Sequence, residues 1–225
     1  MAIARPGLYA WRPAAVVFDC DGLLMDTEPC WTAGETELFA RRGLPFGAEQ
    51  KAFLIGKSLT AAAAGLADLL GEPGAGADIA AELLELVAAA VGASAAAMPG
   101  ARAVVDAAAA AVPVAVASNS RRSLLDAALA RGGFTGTFAV SIAADEVGRP
   151  KPAPDMYLRA CELLGAAPAD TLAFEDSMTG LWSARAAGLP VVGVPTLRDG
   201  EFPADLVVDS LQDAALLAWI SGWAG

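Results

Sequence analysis

A chain of 225 residues can hold one large domain or a core with a smaller domain attached, and 56% hydrophobic against 18% charged residues excludes a disordered polymer. Fifteen basic against 26 acidic residues leave a net charge of −11, which argues against nucleic acid or an anionic membrane as the main partner. Histidine is absent, so any catalysis would run on carboxylates, lysine, serine or cysteine, and a carboxylate metal site would favour Mg2+.

The first segment, residues 1–13, has no apolar stretch followed by a cleavage pattern, so no signal peptide is expected. Val16-Val17-Phe18 then reads as the end of a buried strand spanning about 14–19. It delivers two carboxylates, Asp19 and Asp21, into a turn made by Gly22. Two acids this close repel each other unless a cation lies opposite; the alternative is an ordinary polar strand exit. Asp26-Thr27-Glu28-Pro29 reads as a polar break.

From Cys30 to Met98 the pattern is helical throughout, with no strand. Helices are predicted over 30–43, 47–54, from Ser58 as cap to Leu70, and over 76–91. The alanine-rich tracts sit at helical spacing among Leu and Val, and alanine is the best helix former. The longest apolar runs, 86–97 and 107–117, are shorter than a membrane span and are broken by Gly92 and Pro113.

After Pro99-Gly100 strands and helices alternate. Helices are predicted at about 101–111, 121–131, 154–164, 178–187 and 211–220. Strands are predicted at 113–117, 138–143, 171–174, 191–194 and 206–208. Alternation of this kind implies βαβ units and a doubly wound, mainly parallel α/β sheet, to which the first strand must also belong. The core would comprise residues 1–28 and 98–225, interrupted by an all-helical insert, 29–97.

Ligands of such sheets bind at the carboxyl ends of the strands. Asp19 and Asp21, Ser118 and Asn119, and Glu175 and Asp176 all fall directly after predicted strands, and Lys151 lies in a loop that follows another. Each has a plainer reading beside the functional one. Ser118, Asn119 or Ser120 could cap the next helix, Lys151 could be a solvated loop charge, and Glu175-Asp176 could be acids favoured by a helix dipole. Four coincidences at four strand exits favour the functional reading. Cys20, by alternation, points away from the face shared by Asp19 and Asp21 and reads as packing.

Asp19-Cys20-Asp21-Gly22, Ser118-Asn119-Ser120, Lys151 within Gly148-Arg149-Pro150-Lys151-Pro152, and Glu175-Asp176-Ser177, in this order, resemble the haloacid dehalogenase superfamily of phosphotransferases. The helical insert resembles the cap of its β-phosphoglucomutase-like and sugar-phosphatase branch, which Asp26-Thr27-Glu28-Pro29 and Gly56-Lys57-Ser58 also fit. The resemblance implies a Rossmann-like core and a phosphatase that forms an aspartyl-phosphate on Asp19. It implies Asp21 as acid and then base, and Ser118, Asn119 and Lys151 around the phosphate. Mg2+ would be held by Asp19, the Asp21 carbonyl and Asp176, with Glu175 helping through a water or from behind.

Asp21 argues against carbon–halogen and phosphonate chemistry, which need no acid two residues after the nucleophile. Sugar phosphomutases of the branch carry histidine twelve residues after it. Here that position is Trp31, so hydrolysis of a small phosphorylated substrate, a sugar phosphate, is expected over mutase activity or mere phosphate-ligand binding. Lys57, Trp31, Arg41 and Arg42 are the insert's candidates for touching the leaving group, the arginines reading more simply as solvated surface. Three cysteines without paired spacing (Cys20, Cys30, Cys161) fit a cytoplasmic protein. Nothing marks an interface, which leaves a monomer and a weak dimer both open.

Overall fold

The computed structural model describes residues 7–54, 59–196 and 200–224. The chain forms two compact units, Met1–Asp26 with Ala96–Gly225, and Thr27–Ala95. In chain order the strands are β1 (Ala15–Phe18), β2 (Met25–Asp26), β3 (Ala96–Ala97), β4 (Val114–Ser118), β5 (Val140–Ala143), β6 (Thr171–Glu175), β7 (Val191–Gly193) and β8 (Leu206–Val207). The helices are α1 (Glu28–Ala40), α2 (Ala48–Leu54), α3 (Leu59–Leu69), α4 (Gly76–Ser94), α5 (Ala101–Ala109), α6 (Arg122–Arg131), α7 (Asp155–Leu164), α8 (Met178–Ala187) and α9 (Ala214–Ser221).

The larger unit is the expected doubly wound α/β sheet: six strands in the order β5-β4-β1-β6-β7-β8, every pairing parallel. β1 lies inside the sheet, and all four of its residues are buried, because a parallel sheet covered on both faces needs apolar side chains pointing both ways. On one face Val17, Ala115, Ala117, Ala173 and Val191 pack under Met156, Tyr157, Ala160 and Cys161 of α7 and Leu181 and Ala184 of α8. On the other, the Phe18 and Phe174 rings stack with centroids 4.9 Å apart, and Phe138 meets Phe18 edge-on. Each such ring contributes roughly 1.5–3 kcal/mol by leaving water. Near the C-terminus Trp219 meets Tyr9 and Trp223 edge-on and donates its indole N–H to the carbonyl of Trp11.

The smaller unit is built on α4, which buries Ile79, Leu83, Val87 and Val91 at four-residue spacing. α1 approaches it at Gly34, where an added Cβ would lie 2.7 Å from the Val87 side chain.

Two local expectations are corrected. Pro29 does not break the chain: it sits in the first turn of α1, where proline's fixed φ and missing N–H are tolerated. The helical insert is also not free of strand up to Met98, because Ala96–Ala97 pairs antiparallel with Met25–Asp26. A two-residue ladder joining positions some seventy apart is too short to leave a periodic signal. α9 begins at Ala214, where Asp213 accepts a hydrogen bond from the Leu216 N–H. Gly56, Lys57 and Ser58 lie outside the described residues.

Candidate active site

β1 pairs with both β4 and β6, placing Phe18 opposite Val116 and Phe174, so the carboxyl ends of all three strands lie side by side. Asp19 follows β1, Ser118 ends β4, and Glu175 ends β6 with Asp176 next. Lys151 enters from the loop between β5 and α7.

The centre is an ion-paired chain. Lys151 Nζ donates to Asp19 Oδ1 and to Glu175 Oε1, each at 2.6 Å, while the lysine is only 6% exposed and Asp19 7%. Lys151 is therefore no solvated loop charge. Its backbone is clamped by the Asn119 carboxamide, whose Oδ1 accepts from the Lys151 N–H at 2.9 Å and whose Nδ2 donates to the Lys151 carbonyl at 3.1 Å.

Asp21 Oδ2 accepts from the hydroxyls of Ser118 at 2.7 Å and Ser120 at 2.9 Å. Neither serine caps α6, whose N-cap is Arg121 without a side-chain bond. Gly22 has φ +83°, and an added Cβ there would lie 2.3 Å from Asp176 Oδ2. The glycine thus permits both the turn after Asp21 and the close approach of Asp176. Asp176 Oδ2 also accepts from the Thr196 hydroxyl.

Glu175 is wholly buried and has its own cradle. Tyr157 donates its phenolic O–H to Glu175 Oε1 at 2.5 Å, and Gly180 in the first turn of α8 leaves room for the carboxylate, which an added Cβ would approach to 1.9 Å. The cap of α8 is supplied by Ser177, which accepts from the Gly180 N–H, rather than by either acid.

Burial is the main force raising the Asp19 carboxyl well above the usual carboxylate range; Lys151 opposes it, while Glu175, Asp176 and Asp21 add repulsion. Burial works against the charge of Lys151, yet Asp19 and Glu175 outweigh it and hold the ammonium protonated. Asp176 is pushed up to about 7, first by burial, against the Thr196 hydrogen bond and with Glu175 adding to it. Negative charge is thus in excess at this edge.

The donor set fits a hard divalent cation. Asp19, Glu175 and Asp176 each offer a carboxylate oxygen, all within 4.8 Å of one another, and no nitrogen or sulfur ligand stands among them. The Asp21 carboxylate belongs to the two serines instead.

Trp31 is half-buried on α1 in the smaller unit, and Lys57 is outside the described residues. Arg41 pairs with Glu37 and Glu82, and Arg42 with Glu72 and Glu82. Three residues of the site carry no site role in the sequence reading. Ser120 carried a signal, as the second hydroxyl of the Ser118-Asn119-Ser120 loop. Thr196 follows the strand at 191–193 closely enough to have been considered. Tyr157 sits among apolar helix positions and gave no sign.

A family profile for haloacid dehalogenase-like hydrolases matches residues 13–188. The protein CbbY of Rhodobacter capsulatus is 36% identical over 219 residues, covering 91% of this chain and 96% of that protein. The fructose-1-phosphate phosphatase YqaB of Escherichia coli K12 is 31% identical over 191 residues, 83% of this chain and 98% of its own length. Among solved structures, CbbY from Rhodobacter sphaeroides in complex with phosphate superposes with a TM-score of 0.79 at 28% identity, over 92% of this chain and all of that one. The chain belongs to the haloacid dehalogenase-like hydrolase family. It is an enzyme, and the relatives it matches group it with that family's phosphatases. Among the described residues no helix is long and apolar enough to cross a membrane.

Proposed function

We propose that the enzyme hydrolyses a small phosphomonoester, a sugar phosphate, with Mg2+ and through an aspartyl-phosphate on Asp19. The observation that carries this reading is the Asp19 carboxylate held by buried Lys151, beside an Asp21 carboxylate aimed by two serine hydroxyls. Phosphate esters repel anionic nucleophiles, so a carboxylate attacks phosphorus only where fixed positive charge offsets both. Lys151 supplies one such charge.

Asp19 would attack phosphorus as the ester oxygen departs, and Asp21 would give that oxygen its proton. Asp21 would then take a proton from the water that cleaves the aspartyl-phosphate, releasing phosphate and restoring Asp19. Ser118 would exchange its contact with Asp21 for a phosphate oxygen, and the Asn119 backbone N–H would provide a second donor. Asp19, Asp176 and the Asp21 carbonyl would hold Mg2+, with Glu175 supporting the site through a water or from behind. The ion would add Lewis-acid charge that offsets the phosphate's own.

The unit Thr27–Ala95 is proposed as a cap that sets substrate choice, with Trp31 and Lys57 as its contacts to the leaving group. The relative named as a fructose-1-phosphate phosphatase supports a sugar phosphate as substrate, and three free, buried cysteines fit a cytoplasmic enzyme. The test is phosphate release from a panel of phosphomonoesters by wild type, Asp19→Asn, and wild type with EDTA. Release by wild type alone is expected. Undiminished release by Asp19→Asn would sink the mechanism, and conversion of glucose 1-phosphate to the 6-phosphate without net release would identify a mutase.

A further inference from the structure

Tyr157 is among the largest fully buried side chains, in the apolar layer between α7 and the sheet, a place that phenylalanine would fill at no polar cost. A buried hydroxyl is costly unless it is hydrogen-bonded, so its direction carries information. This one points at Glu175 Oε1, the same oxygen that accepts from Lys151 Nζ. Two donors on one carboxylate oxygen fix the side chain's rotation. Gly180 closes the carboxylate from the side of α8, and the Lys151 ammonium lies 5.1 Å from the centre of the Tyr157 ring. Two of the lysine's three N–H groups are thereby aimed, one at Glu175 and one at Asp19.

We propose that Tyr157 is a positioning residue for the reaction: its O–H locks the Glu175 carboxylate as the counter-ion of Lys151, and so keeps the third lysine N–H aimed at the transferring phosphoryl group. This rests on the phosphatase reading above and assigns a duty to a side chain that touches neither substrate nor metal. Without the O–H, Glu175 Oε1 keeps a single donor and can turn, and Lys151 turns with it. The contact so weakened is worth most as charge builds in the transition state, so kcat is affected rather than KM.

The experiment compares wild type, Tyr157→Phe, Glu175→Gln and the double variant. Phosphate release from para-nitrophenyl phosphate and the active sugar phosphates is measured, with circular dichroism melts of each protein. Removing the outer-shell partners of metal ligands costs about 10–100-fold in affinity or activity, and the same scale is taken for the partner of a catalytic lysine's counter-ion. Tyr157→Phe is expected to lose about tenfold in kcat, the low end of that range, with KM within about twofold and the fold intact. In the Glu175→Gln background the same change is expected to cost less than about twofold, since the charged counter-ion that the O–H would lock is gone. A loss in kcat under twofold, a loss explained by a smaller folded fraction, or a full loss that persists in the Glu175→Gln background would each overturn the inference. A wild type that releases no phosphate overturns the phosphatase reading first, and this inference with it.

Discussion

The chain handles its charges in two different ways. In the unit Thr27–Ala95, Arg41, Arg42 and Lys51 each meet two acids. Arg41 joins Glu37 and Glu82, Arg42 joins Glu72 and Glu82, and Lys51 joins Glu28 and Glu35. Half of these eight groups are open to water, the Arg41 side chain being 49% exposed, and the rest are partly covered apart from Glu35, whose side chain is only 6% exposed. At the sheet edge of the other unit, Lys151 with two acids is sealed away, its side chain 3% exposed. Exposed pairs are screened and weak, whereas buried ones carry a desolvation cost that their attraction only partly offsets. A fold seeking stability alone would fill that space with apolar side chains. Keeping charge there is the mark of a site that works on charge.

The largest effect should come from breaking the buried side of this contrast. Lys151→Met keeps the stem of the side chain and deletes the ammonium, leaving Asp19 and Glu175 facing each other without compensation. A loss of about 3–5 kcal/mol in urea-unfolding stability is expected, together with a fall in kcat of at least about 10²-fold. A variant as stable and active as wild type would mean that the lysine is a bystander.

Gly180→Ala comes next. On an exposed helix this change would stabilise by up to about 1 kcal/mol through propensity alone. Here the new methyl would fall 1.9 Å from the Glu175 carboxylate, so about 1–3 kcal/mol of destabilisation is expected instead, with loss of activity. A rise in melting temperature would show that Glu175 can move aside freely.

Asp176 gives the contrast a pH dependence. Its carboxyl is raised from the usual 3.8 to about 7 by burial and by Glu175. Between those values the folded protein keeps a proton that the unfolded chain has lost. The stability this lends is present at low pH and disappears as pH rises through about 7. A divalent cation must displace the same proton. Mg2+ affinity should therefore improve about tenfold per pH unit up to roughly 7 and then level off. Calorimetric titration at pH 5.5, 6.5 and 8 measures this, and an affinity independent of pH would exclude Asp176 as a ligand.

The two regions also differ in how far they could be read from sequence. At the sheet edge, apolar strands ending in polar groups announce themselves, because burial demands the first and function the second. Asp19, Asp21, Ser118, Lys151, Glu175 and Asp176 were found in that way, and they meet. Tyr157 was not, since an apolar helix face hides a phenol whose value lies only in where its hydroxyl points. Asn119 is legible as a polar residue at a strand exit, but that its carboxamide holds the Lys151 backbone is a contact between loops that no local pattern encodes. In the smaller unit the helices were legible from alanine and leucine spacing. Which acids would take up Arg41 and Arg42 depended on α1 lying against α4, and tertiary packing of that kind leaves no periodic trace.

The exposed side of the comparison predicts the smallest effect. Arg41→Gln removes a guanidinium whose basicity is raised by hydrogen bonds to Glu37 and then Glu82. Its partners keep their water when it goes, because the pairs stand on the open surface of α1 and α4 and the loss is met by hydration rather than by buried charge. The melting temperature should shift by no more than about 2 °C, and less still in 1 M salt, where screening acts over about 3 Å. A drop comparable to that of Lys151→Met would mean that the surface network holds α1 against α4 as firmly as the buried chain holds the sheet edge, and that water does not screen it.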